Sequence, residues 1–171
     1  MASGRAHDRA TWLLALPFGL LWWPWQGAGG ALSAGLGFLI GGLWLSPDLD
    51  TPSNPSRRWG PLRCLWWPYR RLLSHRSLLS HSPLLGSAGR LLYLGAVLLA
   101  LSWLGQPLGT PSPRALAAWA GQLWDRQPTQ LLAALVGVEA SAWLHLLQDG
   151  DPTPRLPGPL RRTRRRRRRR R

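Results

Sequence analysis

The chain has 171 residues, 45% of them hydrophobic and 12 of them tryptophan, and it carries a formal charge of +15 with no lysine. That length argues for one domain, the apolar and aromatic content excludes a disordered body, and the lone Cys64 excludes a disulfide framework. Ten of the 22 arginines lie in residues 161–171, which leaves about +5 on everything before them; the charge speaks for a basic tail and against a nucleic-acid-binding body.

The first apolar stretch, residues 11–25, follows the polar start MASGRAHDR and contains Pro17 and Pro24. These prolines suit a tilted or re-entrant segment, and the apolar run that follows at once argues against a cleaved leader. Ala28–Leu45 is uncharged and rich in Gly and Ala at spacings that permit close helix packing in lipid. Leu91–Leu104 forms a third stretch, reaching back to Leu84 if Arg90 snorkels. Pro-Ser-Pro at 111–113, followed by RALAAWAGQLW, predicts a turn and a short surface helix. Leu131–Leu147 is the fourth stretch, interrupted only by Glu139. A spanning helix needs about 20 apolar residues, whereas a soluble helix of that length shows a charged outer face, which the second stretch lacks. The expectation is an all-α fold, a small membrane bundle of about four apolar helices.

Arginine is concentrated in the loop at 46–83, with Arg57, Arg58, Arg63, Arg70, Arg71 and Arg76, against Arg114 and Arg126 in 106–130. The preference of basic loops for the cytoplasmic side then places both termini and the 46–83 loop inside, in a multi-pass protein of an inner (plasma or thylakoid) membrane. Two parts are expected: a helical metal-binding membrane domain over residues 1–154, and a disordered arginine-rich tail over 155–171, drawn to anionic lipid. Short spans are compatible with a homo-oligomer.

The rare polar residues stand at the ends of the apolar stretches. His7 and Asp8 precede the first, Asp48 and Asp50 follow the second, His75 and His81 precede the third, and His145 and Asp149 close the fourth. If the stretches cross as two hairpins, all four clusters reach one cytoplasmic face. Imidazole with carboxylate suits a divalent Zn, Mn or Fe ion, and the number of donors exceeds one tetrahedral sphere, so one or two ions are expected. His145 and Asp149, four apart, share a helical face; Asp149 either binds metal or orients the imidazole. His75 and His81 converge only if a helix starts between them, with Ser80 or Ser77 near its cap. Each cluster has a plainer reading as a helix cap or a solvated surface. Glu139 sits inside an apolar span, where a carboxylate is costly; it is either a protonated hydrogen-bonding group between helices or a general base. Arg76, with Arg70 or Arg71 in reserve, is suited to hold an anionic group.

The succession His7-Asp8, Ser46-Pro-Asp-Leu-Asp50, His75-Arg-Ser-Leu-Leu-Ser-His-Ser82 and His145-Leu-Leu-Gln-Asp149 resembles the uncharacterised metal-binding membrane proteins common in cyanobacteria. It is similar to the wider group of small membrane-bound, metal-dependent hydrolases with an HR-x-x-x-S/T-HS signature, over about residues 3–151. The resemblance implies His7, Asp48, Asp50, His75, His81, His145 and Asp149 as metal-site residues, with Asp8 and Ser80 in supporting positions. The wider group often carries glycine where this chain has Ser77. Three functions follow as expectations. The first is a metal-dependent hydrolase acting on a phosphoester or other anionic substrate at the membrane face, with Glu139 and Arg76 as catalytic candidates. The second is a non-catalytic metal-binding or metal-sensing membrane protein, and the third a small oligomeric metal transporter.

Overall fold

The computed structural model describes residues 2–73 and 77–150, and all of its regular elements are helical. The proposed tail at 155–171 and the site residues His75 and Arg76 lie outside the described residues.

Helix α1 (Gly4–Leu20) starts at Ser3, whose hydroxyl accepts from the Ala6 amide, an N-cap that satisfies one of the four unpaired amides of the first turn. Its buried residues, His7, Thr11, Ala15 and Gly19, recur every four positions, so a single narrow stripe meets the rest of the fold. Trp12, Leu13, Leu16 and Leu20 remain exposed. Helix α2 (Trp23–Leu43) follows after a two-residue break and kinks at Gly27, where φ is +59°, a backbone geometry open to glycine and costly to other residues.

Small residues then let three helices touch backbone to backbone. A Cβ on Gly19 would lie 2.6 Å from the Ala31 carbonyl oxygen, and one on Gly42 would lie 2.5 Å from the Thr11 side chain. These pairings run α1 antiparallel to α2. Helix α8 (Pro128–Gln148) lies on the other side of α2: a Cβ on Gly37 would fall 2.1 Å from the Ala134 carbonyl oxygen, and one on Gly137 2.3 Å from that of Ala34. Gln130 stands beside Gly29 and Ser141 beside Gly41, so α2 and α8 run parallel. The start of α1 and the ends of α2 and α8 therefore share one end of the molecule.

A chain of short elements follows α2 at that end. Pro47–Asp50 is a 3-10 turn, followed by α3 (Asn54–Arg58), a second 3-10 segment at Gly60–Trp66, α4 (Trp67–Leu72) and α5 (Leu78–His81). They close on a small apolar core of Leu45, Leu49, Trp66 and Tyr69, with Trp59 and Tyr93 packed against it. The Trp66 ring meets Tyr69 edge-on at 5.4 Å between centroids, a favoured aromatic arrangement. Arg70 ties α4 to the 3-10 turn, its Nε donating to the Leu49 carbonyl at 3.1 Å and its Nη2 to Ser56 Oγ at 2.6 Å.

Helix α6 (Leu85–Gly105) leads away and α7 (Pro113–Arg126) brings the chain back to α8. Ser112 caps α7, its hydroxyl accepting from the Ala115 amide at 3.2 Å; this is the surface helix read from the Pro-Ser-Pro turn. Helix α6 buries few residues, and among them is Arg90, donating to the Ser80 carbonyl at 2.9 Å and to Ser87 Oγ at 3.1 Å.

Three helices among the described residues are long and apolar enough to cross a membrane: Trp23–Asp50, Leu85–Leu108 and Pro128–Gln148. This corrects the expectation of four. The stretch at 11–25 is divided between α1 and α2, and the first turns of α1 are polar, leaving residues 10–20, about 16 Å of helix, for an apolar core.

Candidate metal centre

The shared end of α1, α2 and α8 collects side chains from four distant parts of the chain. Two groups have ligand atoms within 4.8 Å of one another: His7, His145 and Asp149, and Asp48, His81 and His145. His145, in the last turn of α8, belongs to both. Its Nε2 lies 3.5 Å from Asp48 Oδ1 and 3.6 Å from Asp149 Oδ2. Across the second group, His81 Nε2 is 3.7 Å from Asp48 Oδ1.

The three imidazoles share an orientation. His145 Nδ1 faces Ser46 Oγ at 3.4 Å. His81 Nδ1 has Ser80 Oγ at 3.0 Å and Asp50 Oδ2 at 3.4 Å. His7 Nδ1 donates to Gln148 Oε1 at 2.6 Å, with its Nε2 3.2 Å from Asp149 Oδ1. In each ring Nδ1 is engaged from behind and Nε2 is turned to the centre, the arrangement that fixes the tautomer of a metal-binding histidine. The rings of His7 and His145 stack at 4.0 Å between centroids, which further limits their rotation.

The donor set fits a divalent cation. An ion held at metal–nitrogen and metal–oxygen distances near 2.1 Å spaces tetrahedral ligands about 3.4 Å apart, close to the 3.5, 3.6 and 3.7 Å separations around His145 Nε2 and Asp48 Oδ1. His145 Nε2 is buried and makes no hydrogen bond, which is costly for a polar atom unless it has another partner. Burial disfavours a charged His81 ring, but the carboxylates of Asp48 and Asp50 outweigh that and hold its pKa above the usual imidazole value.

Not every candidate residue joins a ligand group. Asp50, whose carboxylate is fully buried, stands behind His81 at Nδ1. Asp8 turns away from His7 and accepts from Arg58 Nη2 at 2.5 Å and Asn54 Nδ2 at 3.2 Å. Ser80 Oγ approaches His81 Nδ1, an orienting contact. Glu139 lies deeper along α8, accepting from the Leu84 amide at 2.8 Å and bordering an open apolar groove with Leu14, Phe18 and Trp143. Arg70 is occupied by Leu49 and Ser56 as described, and Arg71 stacks over Trp67 at 5.2 Å. Ser46 and Gln148, which hold two of the imidazoles, were not singled out from the sequence. Their signal was position alone: each lies within three residues of a ligand candidate, in SPDLD and HLLQD.

Beside the ligands a polar cavity of about 220 Å³ opens, bordered by His7, Asp48 and His145 and by Asn54 and Arg57 of α3.

Comparison with known proteins agrees with this chemistry. The family described as "Uncharacterized metal-binding protein (DUF2227)" matches residues 2–155. An uncharacterized protein of Aquifex aeolicus (strain VF5) is 44% identical over 61 residues. That match spans 35% of this chain and 43% of the relative's length. No solved structure matches the chain.

Proposed function

The chain belongs to this uncharacterized metal-binding protein family, and from that premise we propose that it is a membrane protein holding one divalent cation at the polar end of its helices. The observation that carries the proposal is the convergence of Asp48 Oδ1, His81 Nε2 and His145 Nε2 from three separate elements to separations of 3.5 and 3.7 Å. One ion is favoured over two because both ligand groups draw on His145, whose single inward nitrogen serves one ion. Mixed imidazole and carboxylate donors suit Zn, Mn or Fe. The three apolar helices supply the membrane part. Arg57, Arg58, Arg63, Arg70 and Arg71, gathered in the short elements at the polar end, support a cytoplasmic placement of that end, and the arginines of residues 161–171 would add attraction to anionic lipid.

Metal analysis of detergent-purified protein tests the proposal. Wild type should carry roughly one equivalent of metal, and His145→Ala should carry almost none. Equal metal content in the two proteins would refute it.

A second reading, a metal-dependent hydrolase, is supported by the polar cavity bordering the ligands. A bound divalent ion would supply a coordinated water of lowered pKa. Turnover of a phosphoester panel by the Mn- or Zn-loaded protein is the test. Stoichiometric metal with no turnover removes this reading and leaves the first.

A further inference from the structure

The cavity beside the ligands has an unusual set of walls. It is lined by His7, Asp48 and His145 of the ligand groups together with Asn54 and Arg57 of α3. Its 220 Å³ corresponds to about seven waters at liquid density, below the roughly 300 Å³ at which drug-sized ligand pockets begin. A small head group fits that volume.

Of the arginines near this end, Arg58, Arg70 and Arg90 are engaged elsewhere. Arg58 donates to Asp8 Oδ2 and to the Leu43 carbonyl. Arg70 donates to Leu49 and Ser56, and Arg90 is buried against Ser80 and Ser87. Arg57 borders the cavity and is exposed, and its side chain has neither a hydrogen bond nor an ion pair among the described residues. Its neighbour Arg58 has already neutralised Asp8, the one acid of the cavity wall outside the ligand groups. The Arg57 guanidinium thus keeps its forked donors available at the border of a polar cavity, a group that suits an oxyanion.

The carboxylates set a condition. Asp48, Asp50 and Asp149 lie at or behind the inner wall and oppose any anion. A divalent cation offsets two of those three charges and Arg57 the third, so an anion meets no net repulsion only after the metal is bound. Two cationic groups carried on separate elements call for a dianion with oxygens facing several directions, which a tetrahedral phosphate has and a planar carboxylate lacks.

We propose that Arg57 is the anion-recognising residue of the metal centre, and that the cavity takes a phosphate monoester group, free or as the head group of a lipid. The inference rests on the metal-binding reading above. It adds a linkage: the anion requires the metal, and by thermodynamic reciprocity the anion tightens the metal by the same factor.

Calorimetric titration of the full-length protein in detergent with inorganic phosphate tests this, using zinc-loaded and zinc-free wild type, Arg57→Gln and Arg57→Lys. Phosphate should bind zinc-loaded wild type and not the zinc-free protein. Arg57→Gln should lose about tenfold or more in phosphate affinity with unchanged zinc content, and Arg57→Lys should recover part of it. Zinc affinity measured with and without phosphate should differ in wild type by the factor seen for phosphate. Mixed micelles containing short-chain phosphatidic acid distinguish the sources: competition between that lipid and inorganic phosphate assigns the site to a head group, and binding of phosphate alone assigns it to a soluble ligand. Equal phosphate affinity in Arg57→Gln and wild type, or equal affinity with and without zinc, overturns the inference while leaving metal binding intact. Absence of zinc from wild type overturns the metal reading and this one together.

Discussion

His145 Nε2 is the atom on which both ligand groups converge, and His81 is the residue whose titration the site controls. The raised His81 pKa, set by Asp48 and Asp50 against the effect of burial, gives opposite pH dependences to the two forms of the protein. In metal-free protein, protonated His81 stabilises the fold fully below the unfolded imidazole pKa of about 6.5, and that contribution is lost as pH rises through the higher folded value. A metal must displace the same proton, so metal affinity falls as pH falls through that value. Thermal unfolding across this pH range should therefore show stability declining with pH in chelator-treated wild type and rising with pH in the metal-loaded protein. Parallel slopes would show that His81 does not exchange its proton for metal. At this scale the sequence was informative about which residues matter, because histidines and acids are so few that their gathering at the ends of apolar stretches stands out. It was uninformative about direction. Adjacent helical residues point about 100° apart, which sends His7 inward and Asp8 out to Arg58. In the 3-10 turn, Asp48 joins the ligands while Asp50 sits behind His81.

The packing of α2 against α8 turns on glycines whose missing side chains are filled by the neighbouring backbone. Gly37→Ala would set a methyl 2.1 Å from the Ala134 carbonyl oxygen, and a helix backbone cannot yield as a flexible side chain does. A loss of about 1–3 kcal/mol is expected, together with reduced metal content, because the same contact keeps α2 and α8 in register at the ligand end. Gly95→Ala on α6, where the added carbon meets nothing within 4 Å, should leave the midpoint of thermal unfolding in detergent unchanged or slightly raised. Equal effects of the two substitutions would disprove this account of the interface. The small-residue pattern in Ala28–Leu45 announced close packing, but no residue in it names the partner helix or its direction. The parallel pairing with α8 depends on contacts about a hundred residues apart in sequence. The short elements of residues 47–72 lack helical periodicity and are held by long-range contacts such as Arg70 to Leu49, so they were not legible, whereas the helix start between His75 and His81 was: α5 begins at Leu78 with Ser77 in its cap position.

Among the described residues, the ligand groups and the side chains that orient them lie at one end, and exposed leucines and tryptophans cover the sides of the long helices. Cys64, the only cysteine of the chain and exposed on the Gly60–Trp66 segment, reports on the orientation proposed above. A membrane-impermeant maleimide should label it in inside-out vesicles and spare it in right-side-out vesicles; the reverse pattern would place the metal centre on the other side. The parallel course of α2 and α8 has a further consequence, in the order of events during synthesis. Asp48 and His81 emerge from the ribosome long before the nitrogen they share a centre with. A nascent chain that has completed α2 through α6 therefore owns only a fragment of the coordination sphere, and His7 waits at the start of α1 without its stacking partner. The ligand set is complete only with α8, the last described helix, in place beside α2. If the ion is bound as proposed, the order of residues along the chain withholds a complete ligand set until α8 has been made.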